Sequence, residues 1–342
     1  MDWNIDLNTA WFLLIGVLLA GYAVLDGFDL GVGVLHLLAR DEHQRRIGIN
    51  AIGPVWDGNE VWLLTGGGAL FAAFPVVYAT VFSGLYLAFM LLLFALIFRA
   101  VSIEFRGKVD SPAWRRVWDW SFGLGSLTAS ILFGVAVGNI LRGLPIDAAG
   151  QLHVSFVALL NPYALLIGVL TLVMFTMHGA AMLALKTEGD LHRRMTRWTV
   201  GAWAAFVVLY LAATAATVFA APGLLANFRA WPILWVLPAL LLPAIACVPL
   251  AAWKGRCLGA FLASALTILL MVALMGAGLY PRMVPSSVDP AHSLTIYNAS
   301  SSPLTLTVML TIALIGMPLV LVYSACVYRV FLGKVVLSDD SY

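Results

Sequence analysis

The chain has 342 residues, of which 62% are hydrophobic and only 11% charged, with a formal net charge of +2 at pH 7. A soluble domain carries about 25% charged residues, so this composition excludes an ordinary soluble fold. The Lys and Arg residues form no single basic patch, which argues against nucleic acid as a partner. The three cysteines are far apart and show no spacing typical of a metal site or a disulfide framework. The composition therefore predicts a protein embedded in a lipid bilayer.

Apolar runs of about 20 residues or more are long enough to cross the hydrocarbon core as α-helices. They predict an all-α fold, with one membrane domain over residues 1–342. Only Phe74-Pro75 and its neighbours separate the second run from the third. A β-barrel is excluded, because its strands need about ten residues of alternating polarity. We predict nine transmembrane helices, at 8–38, 55–75, 78–100, 116–141, 156–185, 198–220, 232–253, 257–280 and 304–331.

The basic residues predict the orientation, because Lys and Arg are enriched in cytoplasmic loops. Sixteen of the 19 Lys and Arg residues follow the first, third, fifth, seventh and ninth helices, and only Arg142, Arg229 and Arg282 fall on the other face. We therefore expect the N-terminus outside and the C-terminus in the cytoplasm. The longest segment between spans, 281–303, has no room for a nucleotide-binding or redox domain.

Carboxylates within apolar segments are the most informative residues. Asp26 and Asp29 lie inside the first predicted helix, and Asp57 and Glu60 open the second; the members of each pair are three residues apart and share a helix face. A charge near the bilayer centre costs at least about 2.5–3.5 kcal/mol, so such residues usually face a bundle interior or a wet cavity. We interpret them as a proton-conducting cluster that is reached from the cytoplasm. For Asp57 alone, a role in capping the second helix after Pro54 is an equal alternative.

Two further acids, Glu104 and Asp119, lie close to predicted cytoplasmic helix ends. Acids at that depth can be neutralised by nearby cations without any role in proton transfer. We favour the interpretation that they pair with Arg99, Arg106 or Arg115.

The histidines do not form the pattern of a haem site. Only His178 lies well within a span, and His36 is near the cytoplasmic end of the first helix. A bis-histidine cytochrome of the b type needs paired histidines on facing helices at matching depth. We therefore interpret His178 as a hydrogen-bonded polar residue of the bundle and predict no metal ligand in this chain.

Glycines at helical spacing predict close packing between helices. Gly27 and Gly31 are four residues apart in the first helix, and the triple glycine 66–68 lies in the second. We predict tight contact of both groups with neighbouring helices. A flat chromophore lying against the triple glycine is an alternative.

Several motifs, in order along almost the whole chain, resemble subunit II of the cytochrome bd ubiquinol oxidases. The cyanide-insensitive oxidases share this subunit type and are not separated from the classical enzymes by these motifs. WDGNEVW followed by the triple glycine is the most specific of them. The motifs are GYAVLDGFDLGVG, NAIGPVWDGNEVWLLTGGGALFAAFPVVYATVFSGLY, FRAVSIEFRGK, WDW, GVAVGNILRGLP, LLNPYALLIGV, PILWVLPAL, MVPSS and SLTIYNASSSPLTLTVML.

The resemblance implies a subunit of an enzyme in the bacterial inner (plasma) membrane that oxidises a membrane quinol and reduces oxygen to water. Its haems b and d are expected mainly in the partner, subunit I, with which subunit II pairs pseudosymmetrically. A structural quinone in this subunit and small single-helix subunits are further expectations. Family members have two four-helix bundles and a peripheral ninth helix, which implies bundles over 1–150 and 151–282, and then an outer loop, the ninth helix and a cytoplasmic tail over 283–342.

The resemblance also assigns roles to single residues. Asp57 and Glu104 match positions of a pathway that brings cytoplasmic protons to the oxygen-reducing haem, although the family often has aspartate in place of Glu104. Asp29 and Arg99 match positions that are tied to haem integrity or proton access. The expected proton pathway comprises Asp57, Glu104, Asp29, Asp26, Glu60 and, near its entrance, Tyr342, and the expected structural residues are Arg99 and Trp56.

The sequence departs from the family pattern at two places, and it leaves two rival functions open. Glu60 often corresponds to glutamine in the family, and the outer segment AAPGLLANFRA is short beside the long loop of some relatives. Buried acids are also natural in a proton-coupled secondary transporter, which would act without a haem-rich partner. A scaffold without any proton role is the other alternative.

Overall fold

The structure, a computed structural model, describes residues 6–337 and is almost entirely helical. Three short 3₁₀ helices, at Pro222–Leu225, Pro232–Trp235 and Pro290–His292, and the small antiparallel pair of β1 (Arg282–Val284) and β2 (Leu294–Thr295) lie between the α-helices. The α-helices are α1 (Leu7–His36), α2 (Glu42–Ile52), α3 (Trp56–Ala73), α4 (Pro75–Gly84), α5 (Tyr86–Phe105), α6 (Pro112–Arg142), α7 (Phe156–Leu159), α8 (Pro162–Lys186), α9 (Gly189–Ala220), α10 (Ala226–Ala230), α11 (Val236–Trp253), α12 (Cys257–Leu279) and α13 (Pro303–Val330).

Eight helices of the described part are long and apolar enough to cross a membrane, and the α3–α4 pair makes a ninth if it is counted as one span. The two helices of that pair are bent by 118° at Phe74. The bend has a local cause, because Pro75 lacks a backbone N–H and disfavours helical geometry in the residue before it. The predicted all-α membrane fold is confirmed, and residues 75–84 form a separate helix instead of the start of the third span.

The helix α4 lies at the end of the bundle opposite to the most basic loops. Its buried Val77 and Val81 belong to a hydrophobic cluster with Ile146, Val284 and Ile296, which come from the loops at that end. We call this the outer end, and we call the end that carries residues 37–55 and 106–111 the basic end. The amphipathic helix α2, which the apolar runs did not predict, lies at the basic end between α1 and α3.

The helices α1 and α8 form the centre of the bundle. Within the most apolar window of α8, 61% of the residues are buried, against 6% for α13. The helix α8 packs against α1, α6, α9 and α12, and α13 contacts α1 and α3. The ninth span is therefore peripheral, as predicted. The division into bundles at residue 150 stays a prediction.

Glycines allow the close approach of the central helices. A Cβ atom added at Gly31 would lie 1.9 Å from the carbonyl oxygen of Phe175, and one at Gly27 would lie 2.8 Å from the ring of Phe175. The predicted packing role is confirmed for both. It is wrong for the end of the triple glycine, because a Cβ at Gly67 or Gly68 would meet no described atom within 4 Å.

Candidate functional site

The side chain of Arg99 occupies the middle of a cluster of buried acids. It lies on α5 with no solvent exposure, although the sequence analysis counted it with the loop cations at the end of the third span. Its Nη2 donates to Asp26 Oδ1 at 2.6 Å, and its Nη1 donates to Asp26 Oδ2 at 3.1 Å. This two-point contact is the strongest geometry that an arginine forms with a carboxylate. Arg99 Nη1 also donates to Glu60 Oε1 at 2.7 Å, which joins α1, α3 and α5.

Asp29 is the third acid of the cluster, and only one of its two carboxylate oxygens has a hydrogen-bond partner in the described part. Its Oδ2 lies 4.0 Å from Arg99 Nη2 and accepts a hydrogen bond from Asn59 Nδ2 at 2.7 Å. Its Oδ1 is buried and has no hydrogen-bond partner in the described part of the chain. Asp26, Asp29 and Arg99 are all fully buried, whereas the Glu60 side chain is 26% exposed. Glu60 therefore connects the buried cluster with the surface of α3.

The packing of α6 against α5 fixes the position of the arginine. A Cβ atom added at Gly125 on α6 would lie 2.6 Å from the carbonyl oxygen of Ala95 and 3.2 Å from the backbone nitrogen of Arg99. Only a glycine lets α6 approach this closely. The backbone of α5 is thereby held with its cation facing the acidic face of α1.

The cluster continues to the ninth span through a residue that the sequence analysis missed. Tyr328 on α13 donates its hydroxyl hydrogen to Asn59 Oδ1 at 2.9 Å, while the amide group of Asn59 donates to Asp29. Tyr328 also lines a cavity of about 350 Å³ at the basic end, together with Lys186 and residues 330–336. Asn59 stands out as a polar residue inside WDGNEVW, but nothing in the sequence of α13 marks Tyr328.

The other predicted site residues lie apart from the buried cluster. Asp57 is exposed in the first turn of α3, and the helix has no side-chain cap, since Val55 occupies the N-cap position. Glu104 is exposed near the end of α5. Trp56 is buried in the hydrophobic cluster at the basic end. Tyr342 lies outside the described residues.

Asp119 is paired as expected, within a second charged network at the basic end. Arg106 Nε donates to Asp119 Oδ1 at 2.6 Å, and its two terminal nitrogens bind Glu42 at 3.0 and 2.7 Å. His36 Nε2 lies 2.6 Å from the same Asp119 oxygen. This network ties α1, α2, α5 and α6 together and shares no residue with the cluster around Arg99.

The histidines within the spans do not fit a haem ligand role. Both ring nitrogens of His178 are occupied, Nδ1 at 2.7 Å from Ser264 Oγ and Nε2 at 3.0 Å from the carbonyl oxygen of Val24. Its ring also stacks on Phe261. The Nε2 atom of His36 faces Asp119. No group of three or more His, Cys, Asp and Glu side chains in residues 6–337 is placed to hold a metal ion.

The fold and the cluster define a polytopic helical membrane protein with a buried arginine–carboxylate site. The comparisons with known proteins then give the family. Residues 7–331 match the family of cytochrome bd terminal oxidase subunit II, and the chain belongs to that family.

Individual relatives agree with this assignment. The chain is 40% identical to the cytochrome bd-I ubiquinol oxidase subunit 2 of Escherichia coli K12, over 97% of this chain and 96% of the relative. It is 39% identical to the cytochrome bd ubiquinol oxidase subunit 2 of Bacillus subtilis 168, over 96% of this chain and 97% of the relative. A chain of the bd oxidase structure from Geobacillus thermodenitrificans shares the fold, with a TM-score of 0.77, 18% identity and coverage of 95% and 98%.

Proposed function

We propose that this chain is subunit II of a quinol oxidase of the bd type, which stabilises a haem-bearing subunit I and supplies it with protons from the cytoplasm. The near full-length match to bd oxidase subunits carries the first half of this proposal and argues against a secondary transporter. The absence of a haem ligand pattern among the described residues supports a division of labour in which subunit I holds haems b and d. A structural quinone and small single-helix subunits are further parts of the proposal.

The proton role rests on the charge balance of the buried cluster. Among the described residues, the acids Asp26, Asp29 and Glu60 face one cation, Arg99. If all three acids were ionised, two negative charges would be unbalanced in an interior where unpaired charge is very costly. We infer that the cluster retains protons at neutral pH and exchanges them. A supporting scaffold would need only one acid to balance the arginine.

The surface of α3 supplies a route to this cluster. Asp57 and Glu60 are one turn apart on the same face of α3, so the exposed Asp57 can pass a proton inward through the partly buried Glu60. The amide group of Asn59 does not titrate, so the contact from Tyr328 is a structural link and not a proton relay. We therefore propose that protons enter along Asp57 and Glu60 from the basic end and that this end faces the cytoplasm, which the distribution of Lys and Arg supports.

The same surface is the proposed contact with subunit I. The exposed acids Asp57 on α3 and Glu104 on α5 lie on helices that also carry large exposed apolar residues, such as Leu64 and Phe98. A carboxylate facing lipid is costly, whereas a partner protein can hydrogen-bond it or provide a wet channel. This surface therefore fits a protein interface with polar positions at the basic end.

Neutralising Asp57 tests the proton role in the intact complex. Asp57→Asn and Asp57→Leu are expected to lower quinol-dependent oxygen consumption, because the outermost acid of the route is lost. The matched control is Asp190→Asn, which removes a fully exposed acid of α9 at the same end of the protein. Full activity and full haem content in both Asp57 variants would remove this residue from the route.

A further inference from the structure

A second cavity of about 340 Å³ lies at the basic end, away from the buried cluster. It is formed where α1 ends and α6 begins, and α2 closes one side. Arg45, Arg115 and Arg116 line it, and none of them belongs to the proposed proton route. The cavity is therefore a basic site to which the proposed function assigns no role.

The acids of this cavity are already bound by another cation. Glu42 accepts two hydrogen bonds from Arg106, and Asp119 accepts one from Arg106 Nε. Arg45 Nε lies 3.7 Å from Asp119 and is a buried donor without a hydrogen-bond acceptor in the described part. Arg115 forms an ion pair with Asp110, whose side chain is 95% exposed, and such surface pairs are weak. The guanidinium groups in and around the cavity therefore outnumber the carboxylates by four to three: Arg45, Arg106, Arg115 and Arg116 against Glu42, Asp110 and Asp119. At least one donor, Arg45 Nε, is without an acceptor in the described part.

The edge of the cavity has the composition of a membrane interface. Trp120, which is 55% exposed, and Leu37 line it beside the charged residues. One turn further along α6 from Trp120, toward the outer end, Leu124 is 47% exposed and continues the apolar surface of the span. Tryptophan is enriched where hydrocarbon meets headgroups. An amphipathic molecule can therefore place its charged group in the cavity and lay its apolar chains along the surface of α6.

We propose that this cavity binds the headgroup phosphate of an anionic phospholipid. A phosphate oxygen accepts from the free Arg45 donor and from the terminal nitrogens of Arg116, since guanidinium groups match phosphate geometry. The acyl chains lie along the exposed surface of α6 next to Trp120. Phosphatidylglycerol suits the site better than phosphatidylcholine, because the choline ammonium group would face a surplus of arginines.

The test uses the purified complex in detergent and native mass spectrometry of bound lipid. Phosphatidylglycerol is expected to stay bound and to outcompete phosphatidylcholine. Arg45→Gln and Arg116→Gln should each weaken its binding roughly fivefold, the effect of about 1 kcal/mol per cation. Arg193→Gln removes an exposed, ion-paired arginine of α9 and should leave binding unchanged. Arg45→Lys keeps the charge and should bind more lipid than Arg45→Gln.

Three results would overturn the proposal. The first is equal retention of phosphatidylglycerol and phosphatidylcholine. The second is equal loss of lipid in Arg193→Gln and in the two cavity variants, which would indicate a general charge effect. The third is displacement of the lipid by millimolar inorganic phosphate, which would show that the cavity recognises the free anion. The haem absorption spectrum of each variant establishes that the complex is assembled.

Discussion

Replacing Arg99 with glutamine is the most direct perturbation of the buried cluster. The substitution keeps a polar side chain but removes the only cation of the described chain that faces Asp26, Asp29 and Glu60. The side chains of Arg99, Asp26 and Asp29 have no solvent exposure, so water does not replace the lost hydrogen bonds. The expected result is a large loss of stability at neutral pH.

The magnitude follows from the contacts of the arginine. Arg99 donates at 2.6 and 3.1 Å to Asp26 and at 2.7 Å to Glu60. Breaking a buried ion pair by removing one partner costs about 3–5 kcal/mol, because the other charge is left uncompensated. Protonation of the acids relieves this charge. The loss should therefore shrink as the pH is lowered, since the carboxyl groups become neutral and need no cation.

Thermal unfolding of the purified complex in detergent measures this effect, with haem absorbance and tryptophan fluorescence as separate probes. Arg115→Gln is the matched control, because it removes an arginine from an exposed pair and should change stability by no more than about 1 kcal/mol. Arg99→Lys keeps the charge, and its thermal stability should lie between that of the wild type and that of Arg99→Gln. A loss in Arg99→Gln as small as that in the control, at every pH, would refute the interpretation of the cluster as a charge-balanced site.

Two further predictions concern the packing around the cluster. Gly31→Ala should prevent the close approach of α1 and α8 and reduce the yield of folded complex, since the new Cβ atom would lie 1.9 Å from a backbone carbonyl. Gly201→Ala on α9, which adds a Cβ where no described atom lies within 4 Å, should leave the yield unchanged, and equal yields of the two variants would contradict this account. Tyr328→Phe should destabilise the complex by about 1 kcal/mol, because Asn59 loses its donor. Tyr323→Phe is the control on the same helix, where the side chain is 67% exposed, and an equal effect of both would argue against the hydrogen bond.

Much of the architecture could be predicted from hydrophobic runs alone, because a spanning helix needs a minimum apolar length. The burial of Asp26 and Asp29 also followed from the cost of charge in hydrocarbon. The partner of these acids was not predicted. Arg99 stands near the end of an apolar run, and only its tertiary contacts with Asp26 and Glu60 show that it points into the bundle.

Other features escaped the sequence because they depend on tertiary contacts. The helix at Pro75–Gly84 is apolar like a span, and its separate position depends on the loops that pack against it at the outer end. The link from Tyr328 to Asn59 joins residues that are 269 positions apart. A tyrosine in an apolar helix gives no local signal of such a contact. The triple glycine shows the opposite error, since small residues predicted a close helix contact that is missing at Gly67 and Gly68 in the described part.

The central claim is that acids around Arg99 exchange protons during turnover, and Glu60 is the acid that connects them to the surface. Glu60→Gln retains a hydrogen-bond acceptor for Arg99 but cannot carry a proton. Oxygen consumption by the complex, measured together with its haem absorption spectrum, tests the claim. We predict slower turnover with an unchanged haem spectrum. Wild-type turnover in Glu60→Gln would contradict the proposed route.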